Sequence, residues 1–298
     1  MDGILPIDKP QGMTSHDAVF RMRKALGEKR IGHSGTLDPM ATGVLVLYIG
    51  RATRLIEYAG RPGDPAAKAY RCTMKLGLET DTQDVWGETI RAWDGPLPDG
   101  ESVRAALASF RGESLQTPPM YSAVKVGGRK LYELARRGEV PEDGAVKARR
   151  IFINNIIVNH YDRNAGEAVF DIECGKGVYV RTVCADAGRL LGCGAAMSGL
   201  VRTRSDGFAL ADCAADTVVE GGALPSLLPV DAALGWMARA ELDDAEARRF
   251  CNGLPAAAEQ DAEPEGTGGK VRVYGPDGFL GVGRVESGAI RPEKVVRG

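Results

Sequence analysis

Histidine and paired cysteine, the usual ligands of transition metals, are scarce in this chain of 298 residues. The three histidines, His16, His33 and His160, are widely separated in the sequence. The six cysteines include no CxxC pair and have no histidine at the spacing of a zinc site. We therefore predict no metal, and we expect reduced cysteines that are mostly buried.

Long apolar runs are absent as well. No run approaches the roughly 18 apolar residues of a membrane-spanning helix. The N-terminal sequence MDGILPIDKPQGM lacks the basic start and the long apolar middle of a secretory signal. With 44% hydrophobic and 26% charged residues, the composition is typical of a soluble domain. These features predict a cytoplasmic protein without a membrane partner.

The chain also has no overall positive charge. The net charge is −2 and the pI is near 6.0, whereas nucleic-acid-binding domains often have a pI above about 9. The charge is unevenly distributed, because residues 1–150 contain 23 Lys and Arg against 19 Asp and Glu, and residues 151–298 contain 15 against 21. Two basic stretches, RMRKALGEKR (21–30) and KVGGRKLYELARR (125–137), are candidate binding surfaces, and a solvated helix face is the competing interpretation.

Local patterns predict more strand than helix. Thr14 and Asp17 fit a capping box, which predicts a helix that ends at Gly27. Strands are predicted at 44–49, 70–77, 149–162 and 167–174, and a polar loop at 78–87. A second helix is expected within 178–192, packed through Val180, Val183, Ala187, Leu190 and Leu191. Clear β-α-β units are few, so the predicted fold class is α+β, a sheet with helices on its faces.

The composition changes near the C-terminus. The stretch AAAEQDAEPEGTGG (256–269) is acidic and predicts a mobile loop or linker. The segments VRVYG, FLGVGRVE and KVV, with the turn GPDG, predict short strands of a small β-rich domain. We predict one domain over residues 1–236 and a second over 237–298.

The stretch GHSGTLDPMATG (32–43) sets one carboxylate, Asp38, among glycines and polar side chains just before the strand predicted at 44–49. Turn formation by Asp-Pro is the simplest explanation of such a stretch. Five polar side chains in a loop next to a rigid strand also favour a functional role.

Five sequence blocks resemble the TruB family of tRNA pseudouridine synthases, and they follow that family's order over roughly the first 200 residues. The stretch 32–43 is similar to the family's catalytic motif. The others are KPQGMTSHDAVFRMRK (9–24), KAYRCTMKLGLETDTQDVWG (68–87), TPPMYSAVKVGGRKLYELARRG (117–138) and GKGVYVRTVCADAG (175–188). The residues after Trp236 resemble, more weakly, the PUA-type RNA-binding module of the family.

The resemblance implies a pseudouridine synthase fold, with a mixed, largely antiparallel sheet flanked by helices and a small β-rich PUA-like C-terminal domain. It also implies isomerisation of uridine 55 in the T loop of tRNA to pseudouridine, without a cofactor. Asp38 would be the catalytic carboxylate, attacking C1′, stabilising positive charge on the ribose or removing the 2′ proton.

The resemblance assigns further site residues by position. Tyr70 would stack on the flipped base or carry a proton, and the Arg181 guanidinium would favour the ionised form of Asp38. His33 would occupy the space left by the base, and Leu200 would line the uracil pocket. Tyr179 would border the site. Independently of the resemblance, the basic residues that are candidates for phosphate contacts are Lys9, Lys24, Arg30, Lys125, Arg129, Lys130, Arg136 and Arg137. Val201 stands where the family often has a basic residue.

Three other functions remain possible from the sequence. A tRNA chaperone would bind and refold the RNA without needing Asp38, and this role could also accompany the enzyme. A guide-RNA-dependent synthase would need partner proteins and basic extensions. A small-nucleotide enzyme would need a phosphate-binding glycine motif, and neither GxxxxGK[ST] nor a strand-associated GxGxxG occurs. The favoured interpretation is a monomeric, stand-alone enzyme whose partner is the tRNA T stem-loop.

Overall fold

The computed structural model describes residues 1–61, 63–64, 66–139, 141–142, 144–257 and 268–296. Most of the acidic stretch predicted to be a loop at 256–269 lies outside the described residues. Two compact units are present. The first unit comprises Met1–Asp64 and Arg204–Gly298, and the second unit comprises Pro65–Thr203.

The N-terminal part of the first unit contains three antiparallel strands, one α-helix and one 3-10 helix. Its elements are β1 (Gly3–Lys9), α1 (Ser15–Leu26), β2 (Ile31–His33), β3 (Thr42–Ile49) and a 3-10 helix (Gly50–Tyr58). Strand β3 pairs antiparallel with both β1 and β2. Its residues from Gly43 to Ile49 are all buried, so the predicted buried strand is confirmed.

Helix α1 begins and ends where the sequence predicts. The Thr14 hydroxyl accepts a hydrogen bond from the Asp17 amide at 3.0 Å, and the Asp17 carboxylate accepts one from the Thr14 amide at 3.0 Å. These two bonds satisfy amides that have no partner inside the helix. Gly27 then ends the helix with a φ of +63°, a conformation that glycine adopts without strain.

The second unit is built around five neighbouring strands and includes helices α2 and α4. The order of its strands is β12-β4-β11-β10-β7. In chain order the unit contains β4 (Lys68–Leu76), β5 (Leu78–Thr80), β6 (Thr89–Ala92), α2 (Gly100–Ala108), β7 (Gly112–Gln116), β8 (Lys125–Val126), β9 (Arg129–Lys130), α3 (Leu131–Ala135), β10 (Arg149–Asp162), β11 (Glu167–Cys174), α4 (Val180–Leu190) and β12 (Ala195–Ser205), whose last two residues belong to the first unit.

Most sequence predictions for this unit are confirmed, and two are wrong. Strands β10 and β11 pair antiparallel over the predicted ranges. The predicted loop at 78–87 is wrong at its start, because Leu78–Thr80 form β5 and pair with β6. Leu190 was expected to pack, but it is 65% exposed as the last residue of α4, whereas Val180, Val183 and Ala187 are buried.

The C-terminal part of the first unit contains a second sheet of five strands. It follows the short strand β13 (Phe208–Ala209) and three 3-10 helices (Leu210–Asp212, Asp216–Glu220 and Ala232–Leu234). Its elements are β14 (Ala238–Glu241), α5 (Asp244–Cys251), β15 (Ala256–Ala257), β16 (Lys270–Gly275), β17 (Gly278–Glu286) and β18 (Ala289–Val295), and the sheet order is β14-β16-β17-β18-β15. Phe250 of α5 packs in its core with Val271 and Val273. The predicted α+β class with a β-rich C-terminal part is confirmed.

Candidate active site

Asp38 lies in the loop that connects β2 to β3, as the sequence predicts, and its side chain is half-buried. Leu37, Met40 and Ala41 on either side are buried and anchor this loop. The Ala41 amide donates to the Asp38 carbonyl at 3.0 Å and closes a tight turn around Pro39. The carboxylate is therefore carried by a short, well-packed segment.

The first residue of α1 and the segment that precedes this helix hold the loop in place. Ser15 makes two hydrogen bonds to Leu37, since its hydroxyl donates to the carbonyl at 3.0 Å and accepts from the amide at 2.8 Å. The Gly12 amide donates to the Pro39 carbonyl at 2.8 Å, and the Gln11 side chain donates to the Met40 carbonyl at 3.2 Å. The sequence block 9–24 thus supports the backbone on both sides of Asp38.

His33 and Ser34 begin the same loop. His33 is the last residue of β2, pairs with Leu47 of β3 and is half-buried. The Ser34 hydroxyl donates a hydrogen bond to the carboxylate of Asp206, which is 3% exposed. Tyr48 lies close to this carboxylate. Burial, reinforced by the negative charge of Asp206, raises the pKa of Tyr48.

Lys9 has a structural role that corrects its prediction as a phosphate contact. The side chain is fully buried. Its ammonium donates to the carbonyls of Pro10 at 2.8 Å and of Met13 at 2.6 Å. A buried ammonium requires such partners, and here they fix the segment that supports the Asp38 loop.

In the second unit, Arg181 lies in the first turn of α4 and is buried. Its guanidinium donates to the carbonyls of Thr82 at 2.7 Å and Tyr121 at 2.9 Å, and it lies 3.6 Å from the carboxylate of Asp84. The planar guanidinium suits this arrangement because it can donate in several fixed directions at once. Arg181 therefore holds the loop after β5 and the segment around Tyr121 against α4.

The same loop is also linked to β12. The Thr182 hydroxyl donates to the Gln83 side chain at 2.8 Å, and the Met197 amide donates to the Gln83 carbonyl at 3.0 Å. Leu200, three residues farther along β12, is buried. The second unit thus places Arg181, the loop and the Leu200 strand in one hydrogen-bonded framework.

Tyr179 and Tyr70 occupy defined positions in the second unit. Tyr179 caps α4, and its amide and carbonyl both bond to the Gln116 side chain, at 2.8 and 3.2 Å. Tyr70 lies in β4, pairs with Ile172 of β11 and is 7% exposed. An aromatic side chain in a central strand is held firmly by its neighbours.

The remaining basic residues predicted to contact RNA lie at or near the surface. Lys24 and Arg30 are exposed, and Arg30 lies 3.7 Å from Glu28. Lys130 is half-exposed and lies 5.4 Å from the centre of the Tyr132 ring, within the range of a cation–π contact. Within the described ranges, no group of three or more His, Cys, Asp or Glu side chains could hold a metal ion.

Four residues of these networks were not assigned roles from the sequence: Ser15, Ser34, Asp84 and Asp206. Three of them fall within the sequence blocks quoted above, so the resemblance of those blocks to the family could have identified them as candidates. Asp206 falls outside those blocks, and its contact with Ser34 depends on the tertiary fold.

The chain is similar along nearly its whole length to proteins that carry a family name. Residues 23–180 match the family model described as TruB family pseudouridylate synthase (N terminal domain), and residues 238–296 match Pseudouridine synthase II TruB, C-terminal. The protein named tRNA pseudouridine synthase B from Trichormus variabilis is 39% identical, and the similarity covers 99% of this chain and 98% of that protein. The protein of the same name from Symbiobacterium thermophilum is 45% identical over 86% of this chain and 84% of its own length.

The fold has solved counterparts. A chain in the structure titled "Structure of H/ACA RNP bound to a substrate RNA containing 2'-deoxyuridine" superimposes with a TM-score of 0.69 at 22% identity, covering 99% of this chain and 85% of that one. At this identity the likeness shows the fold alone, which is that of the pseudouridine synthases with a β-rich C-terminal domain. The family models and the relatives named above show that the chain belongs to the TruB family of pseudouridylate synthases.

Proposed function

We propose that this protein isomerises uridine 55 in the T loop of tRNA to pseudouridine, with Asp38 as the catalytic carboxylate. In this reaction the bond between N1 and C1′ breaks, the uracil turns while it is held, and a bond forms between C5 and C1′. C5 loses a proton and N1 gains one, so atoms and electrons balance without a cofactor.

The observation that carries this proposal is the support given to the Asp38 loop. Hydrogen bonds from Gly12 and Ser15 hold the backbone on both sides of a half-buried carboxylate. A preorganised carboxylate can act on a ribose without first having to be ordered. The relatives named tRNA pseudouridine synthase B support tRNA as the substrate.

We assign the remaining site residues by the same reasoning. Tyr70 stacks on the extruded uracil through its aromatic ring, and Leu200 lines the base pocket with its apolar side chain; both residues are buried. Arg181 supplies positive charge to the active site while it anchors the loop that contains Thr82. Tyr179 borders the site at the start of α4, and His33 fills the space that the flipped base leaves.

The RNA is proposed to contact two parts of the chain. Lys24, Arg30 and Lys130 contact phosphates of the T stem-loop, because phosphate contacts position an RNA without reading its sequence. The second part is the C-terminal domain, which we place at residues 237–298 and to which we assign RNA binding. The match of residues 238–296 to the family's C-terminal model supports this boundary.

We further propose a cytoplasmic, monomeric enzyme that works without a guide RNA. No helix in the described part of the chain has the length and apolar character of a membrane span. An additional role as a tRNA folding chaperone belongs to the same proposal, because flipping a base out of a folded loop requires the enzyme to open the tRNA elbow.

The position and the reaction can be tested together. A tRNA transcript that contains [5-³H]uridine should release tritium when the protein is added. A second transcript, with cytidine in place of uridine 55, should release none. Release from both transcripts at equal yield would contradict the assignment to position 55, and release from neither would contradict the enzyme activity.

A further inference from the structure

Asp206 and Gly207 form the turn between β12 and β13. Their φ angles are +54° and +87°, and the pairing of Ser205 with Phe208 closes a two-residue loop. Asp-Gly is a preferred sequence for such a turn, because both central residues need a positive φ. The backbone conformation alone would therefore explain an aspartate here, with its side chain directed into water.

The side chain of Asp206 is instead buried. It is 3% exposed, and its carboxylate accepts a hydrogen bond from the Ser34 hydroxyl. A carboxylate removed from water is costly unless hydrogen bonds compensate it. The positive φ of the turn does not require a buried side chain. The burial of Asp206 therefore indicates a role in addition to forming the turn.

Ser34 lies four residues before Asp38. Downstream of Ser34, the loop is held at Leu37 by Ser15 and at Pro39 by Gly12. Upstream, the Ser34 side chain is fixed by Asp206. The two sets of bonds bracket Gly35 and Thr36, so the segment leading to Asp38 is anchored at both ends.

We propose that Asp206 is a positioning residue for the Asp38 loop and acts through Ser34, an inference that rests on the proposed role of Asp38. Loss of this anchor would leave the catalytic carboxylate in place but less well oriented. Because orientation affects the reacting geometry more than RNA affinity, kcat should fall while KM changes little.

The experiment uses substitutions that keep the backbone of the turn intact. Asp206→Gly removes the carboxylate and tolerates the positive φ, and we expect kcat for tritium release to fall about tenfold with KM within about twofold. Asp206→Asn keeps an oxygen acceptor and also tolerates this conformation, so it should retain at least about half of kcat.

A double-mutant cycle tests the route through Ser34. Ser34→Ala should lower kcat as much as Asp206→Gly, and the double variant should be no worse than either single variant. The matched control is Ser205→Ala. Ser205 is a buried neighbour whose hydroxyl has no hydrogen-bond partner among the described residues, so this variant should match the parent enzyme.

Wild-type activity separates this inference from the proposed function. If the wild type releases tritium, unchanged kcat in Asp206→Gly, or losses that multiply in the double variant, would overturn the positioning role. If the wild type releases none, the proposed function fails. In that case, hydrogen exchange of the peptide spanning residues 33–40 tests whether Asp206 anchors the loop. Asp206→Gly should accelerate this exchange, and an unchanged exchange rate would overturn the inference.

Discussion

At the scale of single residues, two buried cations show how differently the fold uses positive charge. Lys9 and Arg181 are both almost completely buried, and both donate hydrogen bonds to backbone carbonyls. Lys9 donates to carbonyls close to it in sequence, those of Pro10 and Met13. Arg181 connects segments far from it in sequence and also faces Asp84.

Arg181→Lys should destabilise the protein by about 2 kcal/mol, because one ammonium cannot replace two guanidinium bonds in different directions and buried carbonyls lose their donors. Urea unfolding measures this change. The matched control is Arg189→Lys on the same helix, whose ion pair with Asp186 is exposed and should contribute little. Equal stability of the two variants would argue against the anchoring role of Arg181.

At the scale of elements, the predictions that succeeded rest on local signals. The capping box and Gly27 predict the two ends of α1. In β10 and β11 the sequence alternates between apolar and polar residues, because one face of each strand is buried. Strand β5 was missed because Leu78–Thr80 become a strand only through pairing with β6. The burial of Lys9 and the contact of Asp206 with Ser34 depend on tertiary packing, which local sequence patterns do not encode.

The cap of α1 makes a prediction with a definite pH dependence. Thr14→Ala should lower the free energy of unfolding by about 1 kcal/mol. Hydrogen bonds from the Thr14 hydroxyl and amide lower the pKa of Asp17 in the folded protein. The stabilisation from this carboxylate is therefore present above its unfolded pKa of about 4 and is lost as pH falls through the lower folded value.

Unfolding of wild type and Thr14→Ala at pH 7 and near pH 3 measures this effect, and the difference between them should shrink at the lower pH. Phe20→Ala is the matched control, because Phe20 is an exposed residue of the same helix and has no titratable group. If Thr14→Ala lowers the free energy of unfolding more near pH 3 than at pH 7, the capping role is contradicted.

At the scale of the whole molecule, the exposure of the cysteines differs between the two units. Cys72, Cys174, Cys184 and Cys193 are buried, whereas Cys213 and Cys251 are partly exposed. Burial raises the pKa of Cys174 to about 12 and also raises the pKa of Cys72. Protonated, inaccessible thiols react slowly with disulfide reagents.

The native protein at pH 8 should therefore show two rapidly reacting thiols, and the unfolded protein should show six. Colorimetric titration with an aromatic disulfide counts both. Cys213→Ser and Cys251→Ser provide the controls, since each should remove one fast thiol. Four or more fast thiols in the native protein would mean that the core of the second unit, which contains all four buried cysteines, is more open than described.

The central claim is that a tRNA uridine is isomerised through Asp38, and the most direct measurement is tritium release by wild type and Asp38→Asn. The tRNA carries [5-³H]uridine, and binding of both proteins is measured in parallel. Asparagine keeps the size of the side chain but removes its charge and replaces one acceptor oxygen with an NH2 donor, so release by the wild type alone, with equal binding by both, is the expected result. Release by Asp38→Asn at the wild-type rate would contradict the claim, and binding by both without release from either would leave only an RNA-binding role.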